Sequence, residues 1–447
     1  MVSVAEQMAF ASFSALARAG ELRKRIWFTL GALIVYRLGT YIPTPGIDPV
    51  VMQQIFEQQA GGILGMFNMF AGGALGRMTI FALNVMPYIS AAIIMQLLMA
   101  VSPTLGQLKK EGGSGRNRIN RYTRYGTVLL AATQAYGIAV GLEGATSQLG
   151  SAVSDPGLRF RFTTVVTLTG GTIFLLWLGE QVTQRGIGNG ISLIIFSGIV
   201  ANLPLAIAST LELGRTGALS TAFILFLLIM AVALVLFIVF VERAQRRIAV
   251  KYPKRQVGNK TFAGEGTYLP MKLNPSGVIP LIFASSILLM PLTVAGFSGG
   301  TGPDWLRWTT AMLGRGSVAY LAVYVGLIVF FAFFYAGIAF DPSDTAENLK
   351  KHGGFVPGIR PGNATADHLR FVQTRLVAIG AIYLTLVAVL PEVLTTRYGV
   401  PFALGGTSLL IVVSVTMDTV ARVQTHLLAH QYEGLVRKAG LKGGHRS

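Results

Sequence analysis

Ala222-Phe-Ile-Leu-Phe-Leu-Leu-Ile-Met-Ala-Val-Ala-Leu-Val-Leu-Phe-Ile-Val-Phe-Val241 runs for 20 residues without a polar side chain. Wound as an α-helix at about 1.5 Å per residue, it would match the ~30 Å hydrocarbon core of a bilayer. A strand of a membrane barrel alternates apolar and polar residues, whereas this run is apolar on every face, so it reads as a helix. Outward from it the chain repeats the theme. Of its residues 52% are hydrophobic and 13% charged, where a soluble fold carries about 25% charge to cover its surface. The bilayer is therefore the expected solvent. The absence of cysteine excludes disulfides, thiolate metal sites and iron–sulfur ligation.

The apolar runs place spans at about 26–42, 78–101, 124–142, 163–182, 187–206, 218–241, 277–296, 318–340, 376–394 and 401–420. Arg18, Arg23, Lys24 and Arg25 precede the first as they would in a secretory signal, but no small-x-small cleavage site follows, so the first span is read as retained. With loops assigned alternately to the two sides, one side carries 29 Lys and Arg, the other 7, and Arg37 lies within the first span. Positive charge is retained in the cytoplasm, so both termini and the loops near 102–123, 242–276 and 341–375 are expected there. A net charge of +18 thus serves orientation before it suggests nucleic acid. Ten spans divide into 26–210 and 218–420 around a short external loop at 211–217. An odd number per half makes the second half enter from the opposite side, as in inverted-repeat transporters.

Gly61-Gly-Ile-Leu-Gly-Met-Phe-Asn-Met-Phe-Ala-Gly-Gly-Ala-Leu-Gly76 is apolar, too short to cross, and holds six glycines. Lipid does not tolerate such backbone, so the segment is expected under protein or lining a water-filled cavity, either as a plain turn or as a movable half-helix. Ionisable residues inside the spans are nearly absent. Arg37 could snorkel, Glu180 and Asp418 lie near cytoplasmic ends, and the histidines fall in loops or the tail. A symporter or an intramembrane metalloprotease would need more. A pore can instead use a ring of branched apolar side chains that expels water. Val85 and Ile89, and Ile191 and Ile195, are i,i+4 pairs able to face inward together, a spacing that every membrane helix contains.

The loops at 242–276 and 341–375 each run 35 residues, far beyond the usual connection of about 4–6, and are expected to dock partners. Arg243, Arg246, Arg247, Lys251, Lys254, Arg255 and Lys260 would attract RNA phosphate or an acidic protein surface; the blander alternative is that they only fix orientation and sit near anionic lipid. The prolines and glycines of Gly353-Gly-Phe-Val-Pro-Gly-Ile-Arg-Pro-Gly362 specify turns that hold Arg360 at a loop tip. No phosphate-cradling G-x-x-x-x-G-K-[ST] is present, so any energy must come from a partner or a gradient, and no cofactor is expected.

Several motifs, in order along the chain, resemble those of the SecY family, the central subunits of the bacterial general protein-export channel. They are Ile42-Pro-Thr-Pro-Gly-Ile-Asp48, Met66-Phe-Asn-Met-Phe-Ala-Gly-Gly-Ala-Leu75, Met86-Pro-Tyr-Ile-Ser90 and Leu178-Gly-Glu-Gln-Val-Thr-Gln-Arg-Gly-Ile-Gly-Asn-Gly-Ile-Ser192. Val241-Glu-Arg-Ala-Gln-Arg-Arg247, Phe355-Val-Pro-Gly-Ile-Arg-Pro-Gly362 and Gly405-Gly-Thr-Ser-Leu-Leu-Ile411 complete the set.

The resemblance implies an all-α polytopic membrane protein, ten helices in two inverted five-helix halves forming a clam-shell around a central pore. It implies a plug on Gly61, Gly62, Ile63, Leu64, Gly65, Met66, Phe67, Asn68, Met69, Phe70, Ala71, Gly72 and Gly73. The pore ring falls on Val85, Ile89, Ile191, Ile195, Ile282 and Ile411. Ser90 and Gln96 on the second span and Ser285, Ser286 and Met290 on the seventh would line a lateral gate, though they also suit ordinary interhelical hydrogen bonds. Implied partners are the small subunits SecE and SecG, the SecA ATPase or a translating ribosome on Arg243, Arg246, Arg247, Lys254, Arg255, Lys260 and Arg360, secretory chains with their signal sequences, and membrane lipid. The competing readings are a secondary transporter for a small solute and, behind it, a membrane enzyme.

Overall fold

In lipid a backbone that leaves its own N–H and C=O groups unpaired loses several kcal/mol for each, so the apolar runs pair them internally as helices. A computed structural model describes residues 20–59, 68, 71–143, 146–147, 150–217, 219–252, 255–257, 260–262, 266–297, 312, 317–398 and 406–438. In chain order its helices are α1 (Gly20–Gly39), α2 (Pro49–Gln59), α3 (Met86–Val101), α4 (Pro103–Lys110), α5 (Gly113–Glu143), α6 (Leu158–Arg185), α7 (Gly190–Arg215), α8 (Thr221–Arg243), α9 (Ile279–Phe297), α10 (Val318–Ala339), α11 (Pro342–Lys351), α12 (Asn363–Tyr398) and α13 (Gly406–Lys438). Among the described residues, α5, α6, α7, α8 and the helices beginning at Val318, Asn363 and Gly406 are long and apolar enough to cross a membrane; α3 and the start of α9 are shorter apolar helices.

The chain is mostly helical rather than all-α. Three two-stranded antiparallel pieces join β1 (Thr146–Ser147) to β2 (Gly150–Ser151), β3 (Gln245–Val250) to β6 (Thr267–Lys272), and β4 (Arg255–Val257) to β5 (Lys260–Phe262). Outside the apolar runs, alternation takes over: within β3, Ile248 and Val250 are buried between exposed neighbours, the period of a half-covered strand.

The span expected at 78–101 also starts later. Residues 71–85 form turns and an isolated bridge, with Met78 and Asn84 at positive φ (45° and 48°), and α3 opens at Met86 with Pro87 in its first turn. Proline lacks the N–H that a helix interior needs but is tolerated where that group has no partner anyway.

The chain divides into two compact units. One holds residues 1–204, 293–302 and 415–447, the other 205–292 and 303–414. In the first, α5 packs on both α3 and α6, and α1 on α6. Tyr36, Phe81 and Phe174 stack in series, with centroids 6.2 Å and 5.8 Å apart. Leu22, Ile187 and Leu427 form a small separate core. Near the β1–β2 piece, Glu143 at the end of α5 accepts from Arg161 Nη2 at 2.6 Å and from the Gly157 N–H at 2.9 Å. In the second unit α12 packs on α10 and α11. Gln373 ties it to the end of α10, its Nε2 donating to the carbonyls of Ala336 (2.8 Å) and Phe340 (3.2 Å).

Glu143 takes charge-assisted bonds from a side chain and a backbone group that lie far along the chain from it. Glu143→Gln is expected to cost about 1–3 kcal/mol, read as a lower melting temperature of the purified protein. Combining it with Arg161→Gln should cost less than the two changes summed.

Candidate functional site

The chain entering α3 carries two of the expected ring residues. Val85 is the cap residue of α3 rather than part of it, and its carbonyl accepts from the Ile89 N–H at 3.1 Å. Both side chains are buried, at 1% and 6% exposure. On α7, Ile195 is buried and Ile191 half-buried.

The start of α7 is built tightly. Asn189 caps it, its Oδ1 accepting from the Ile191 N–H at 3.1 Å, which satisfies a donor that the first turn leaves free. The Gly190 N–H donates to Thr183 Oγ1 at 2.9 Å, and any side chain at Gly190 would run into the Gly179 carbonyl. The motif Leu178–Ser192 thus sets the α6-to-α7 turn by backbone approach. Glu180 beside it forms a two-pronged pair with Arg124, at 2.9 Å and 2.7 Å.

Of the thirteen expected plug residues, Gly61, Gly62, Ile63, Leu64, Gly65, Met66, Phe67, Met69 and Phe70 lie outside the described residues. Asn68, Ala71, Gly72 and Gly73 are described. Asn68 is helical, its carbonyl accepts from the Gly73 N–H at 2.8 Å, and Gly72 has φ +66°.

Three donors close on the carbonyls that follow. Tyr36 Oη donates to Ala71 O at 3.4 Å, Arg37 Nη1 to Gly72 O at 3.0 Å, and Arg77 to Gly73 O from Nε at 3.3 Å and to Gly72 O from Nη2 at 3.4 Å. Both guanidiniums also lie over the Tyr41 ring, Arg77 at 4.1 Å and Arg37 at 5.8 Å. Arg37, which the sequence leaves free to snorkel, instead donates to a carbonyl within its own unit. The partner lies 35 positions away, beyond the reach of any local pattern.

The expected gate residues occupy two helices. On α3, Ser90 is buried and Gln96 has a buried Oε1 that finds no hydrogen-bond partner among the described residues. On α9, Ser285 and Ser286 are buried, and both hydroxyls donate to the Ile282 carbonyl, at 3.0 Å and 2.7 Å. They therefore satisfy themselves within their own helix. Ile282 is half-buried, Ile411 on α13 is buried, and the Met290 side chain lies outside the described residues.

The two long loops meet within the second unit. Lys251 and Phe355 exchange both backbone bonds at 2.9 Å. Ile248 and Met271 from one loop share a core with Ala346, Val356, Ala366 and Leu369 from the other. Asn274 closes the base of the β3–β6 hairpin, donating to Glu242 Oε1 at 2.9 Å. Arg243, Arg246 and Arg247 are exposed on this platform. So is Arg360, whose carbonyl accepts from Thr365 Oγ1 at 2.9 Å, on a turn with Gly358 and Gly362 at positive φ. Lys254 lies outside the described residues, as do the side chains of Arg255 and Lys260.

Sequence reasoning missed Glu392, a 5% exposed carboxylate two turns from the end of α12; its place after Pro391 in an apolar run was the available signal. Among the described residues no group of three or more His, Asp or Glu could hold a metal ion.

The family model described as SecY matches residues 79–420. The chain is 53% identical over 431 residues to protein translocase subunit SecY of Escherichia coli K12, covering 96% of this chain and 97% of that one. It is 52% identical over 434 residues to the subunit of the same name from Vibrio cholerae, with coverage of 96% and 97%. Three solved structures share the fold. One described as a protein-conducting channel superimposes with a TM-score of 0.64 at 17% identity, covering 90% of this chain and 92% of that chain. A SecY structure described by the role of its plug domain also scores 0.64, at 18% identity with coverage of 90% and 92%. Sec61 in a canine ribosome–channel complex scores 0.59 at 15% identity with the same coverage.

The core shared by the two loops makes them one mechanical piece. Leu369, fully buried there, is expected to lose about 2–5 kcal/mol on truncation to alanine. Amide exchange should then rise at 245–250 and at 355–356 together; protection lost at one alone would contradict the coupling.

Proposed function

The chain belongs to the SecY family of protein translocase subunits, and from that premise we propose that it is the protein-conducting channel of a bacterial cytoplasmic membrane. It passes secretory chains across the membrane and releases apolar segments sideways into lipid. The observation that carries this reading is 53% identity to a translocase subunit across 96% of the chain. The transporter reading is set aside, because the relatives that match nearly the whole chain are translocase subunits.

The finer assignments follow from the motifs and the family. Ten helices form two inverted halves, and the distribution of Lys and Arg puts both termini in the cytoplasm. Val85, Ile89, Ile191, Ile195, Ile282 and Ile411 form an apolar ring, which sheds water and so blocks ions without a fixed charge. Residues 61–73 plug the funnel. A signal sequence opens the gate only as far as it binds the open form better than the closed one, and the unsatisfied amide oxygen of Gln96 supports a polar seam on α3. The chain itself is non-enzymatic.

SecE and SecG accompany it, and the SecA motor or a translating ribosome docks on the exposed Arg243, Arg246, Arg247 and Arg360 and on Lys254, Arg255 and Lys260. A related channel is described in complex with a ribosome. The position of Arg360 on a two-glycine turn above the shared core supports a contact residue held at a defined place.

Two measurements test this. A photo-crosslinker at Ile282 is expected to capture a stalled secretory chain in the reconstituted complex, and no adduct there would contradict the ring. Deleting residues 61–70 is expected to give large, passenger-independent currents in planar bilayers; solute-coupled flux without such currents would restore the transporter reading.

A further inference from the structure

Beside the contact between α10 and α12 in the second unit, an apolar groove of about 640 Å³ opens. Val325, Val329 and Phe333 line it from α10, and Ala378, Ile382 and Leu386 from α12. Each set repeats every fourth residue and so lies on one helix face. Ile382, Leu386 and Phe333 are 68%, 47% and 43% exposed, on helices long and apolar enough to cross a membrane. Thr385 is the polar member of the lining, and a helix hydroxyl can turn to the carbonyl one turn back. Whatever fills the groove is therefore hydrocarbon.

The groove is about one leaflet long. From Ala378 to Leu390 its α12 wall rises about 18 Å, against about 15 Å for half of the ~30 Å bilayer core. A crossing helix of a partner would call for a groove along the whole core, whereas an extended acyl chain needs only this much.

The same face of α12 continues beyond Ala378 into Arg375 and Phe371, at i−3 and i−7. Arg375 directly precedes the span expected at 376–394, the level of lipid headgroups. It is exposed, and its guanidinium lies 4.0 Å from the centroid of the Phe371 ring, a contact that holds a cation in place. Arg370 nearby is paired with Asp367 at 3.6 Å, but Arg375 forms no ion pair with a carboxylate among the described residues. An unpaired cation at one end of an apolar groove complements a molecule with a negative head and a hydrocarbon tail.

We propose that the α10–α12 groove seats one acyl chain of an anionic glycerophospholipid whose phosphate pairs with Arg375. The cation selects a headgroup that brings no ammonium of its own, and the groove holds the tail. The site stands on this geometry alone; the orientation proposed above decides only that the lipid belongs to the cytoplasmic leaflet.

Native mass spectrometry of the purified complete complex, titrated with dioleoylphosphatidylglycerol or dioleoylphosphatidylcholine, tests the site. The most tightly held lipid is expected to be phosphatidylglycerol, preferred about tenfold, and Arg375→Gln should abolish that preference, the scale of one charge-assisted bond. Arg375→Lys keeps the charge and should restore most of it. Ala378→Phe fills the groove and should weaken retention of both lipids at an unchanged melting temperature; Leu386→Trp repeats the block further along. Equal affinity for the two lipids in the wild type would overturn the proposal. So would blocks that leave retention unaffected, since Arg375 would then act as a general surface charge. A photo-crosslinker at Ile382 is expected to yield a lipid adduct in membranes, and a protein adduct there would give the groove to a partner's helix and overturn the lipid site.

Discussion

The apolar part of this chain is governed by the cost of an unpaired backbone group in hydrocarbon. Continuous helix meets that cost in the interior of each span, so the architecture is decided at the places where helices begin, end or break off. Those places are managed individually. Asn189 covers a free donor of α7, Pro87 opens α3 without needing one, and the turn at Ala71–Gly72 gives its carbonyls to a phenol and two guanidiniums. The irregular stretch 71–85 is held by such bonds. The carbonyl of Ile42, for example, accepts from the Ile80 N–H at 3.0 Å.

A channel built this way combines two opposed requirements. Its walls need rigid, self-satisfied helices, and its moving parts need short lengths of chain with few commitments. At Gly72 glycine supplies the left-handed φ that the turn needs. It serves the first at Gly190, where only a missing side chain lets two backbones meet. The same residue type thus serves a turn in one place and a close contact in another, and the neighbours decide which.

Outside the apolar runs, different physics applies. The loops at 242–276 and 341–375 bury a small core of their own and exchange a pair of backbone bonds. The arginines they present therefore stand on a defined surface. A load on either loop would therefore be felt by both.

The amino-acid sequence by itself determined the solvent, the helical class, most span positions and the family, because hydropathy and motif order are properties of short stretches. It also marked the ring and loop residues as candidates. It misplaced the start of α3 by eight residues, since 78–85 is apolar enough to span and only the positive φ of Met78 and Asn84 excludes helix there. It left Arg37 unassigned and missed Glu392. Tertiary structure alone decided that Arg37 and Arg77 converge on one turn and that Lys251 meets Phe355. Such bonds depend on where the chain returns to itself, and the one from Arg37 to Gly72 spans 35 positions with no periodic signal to announce it.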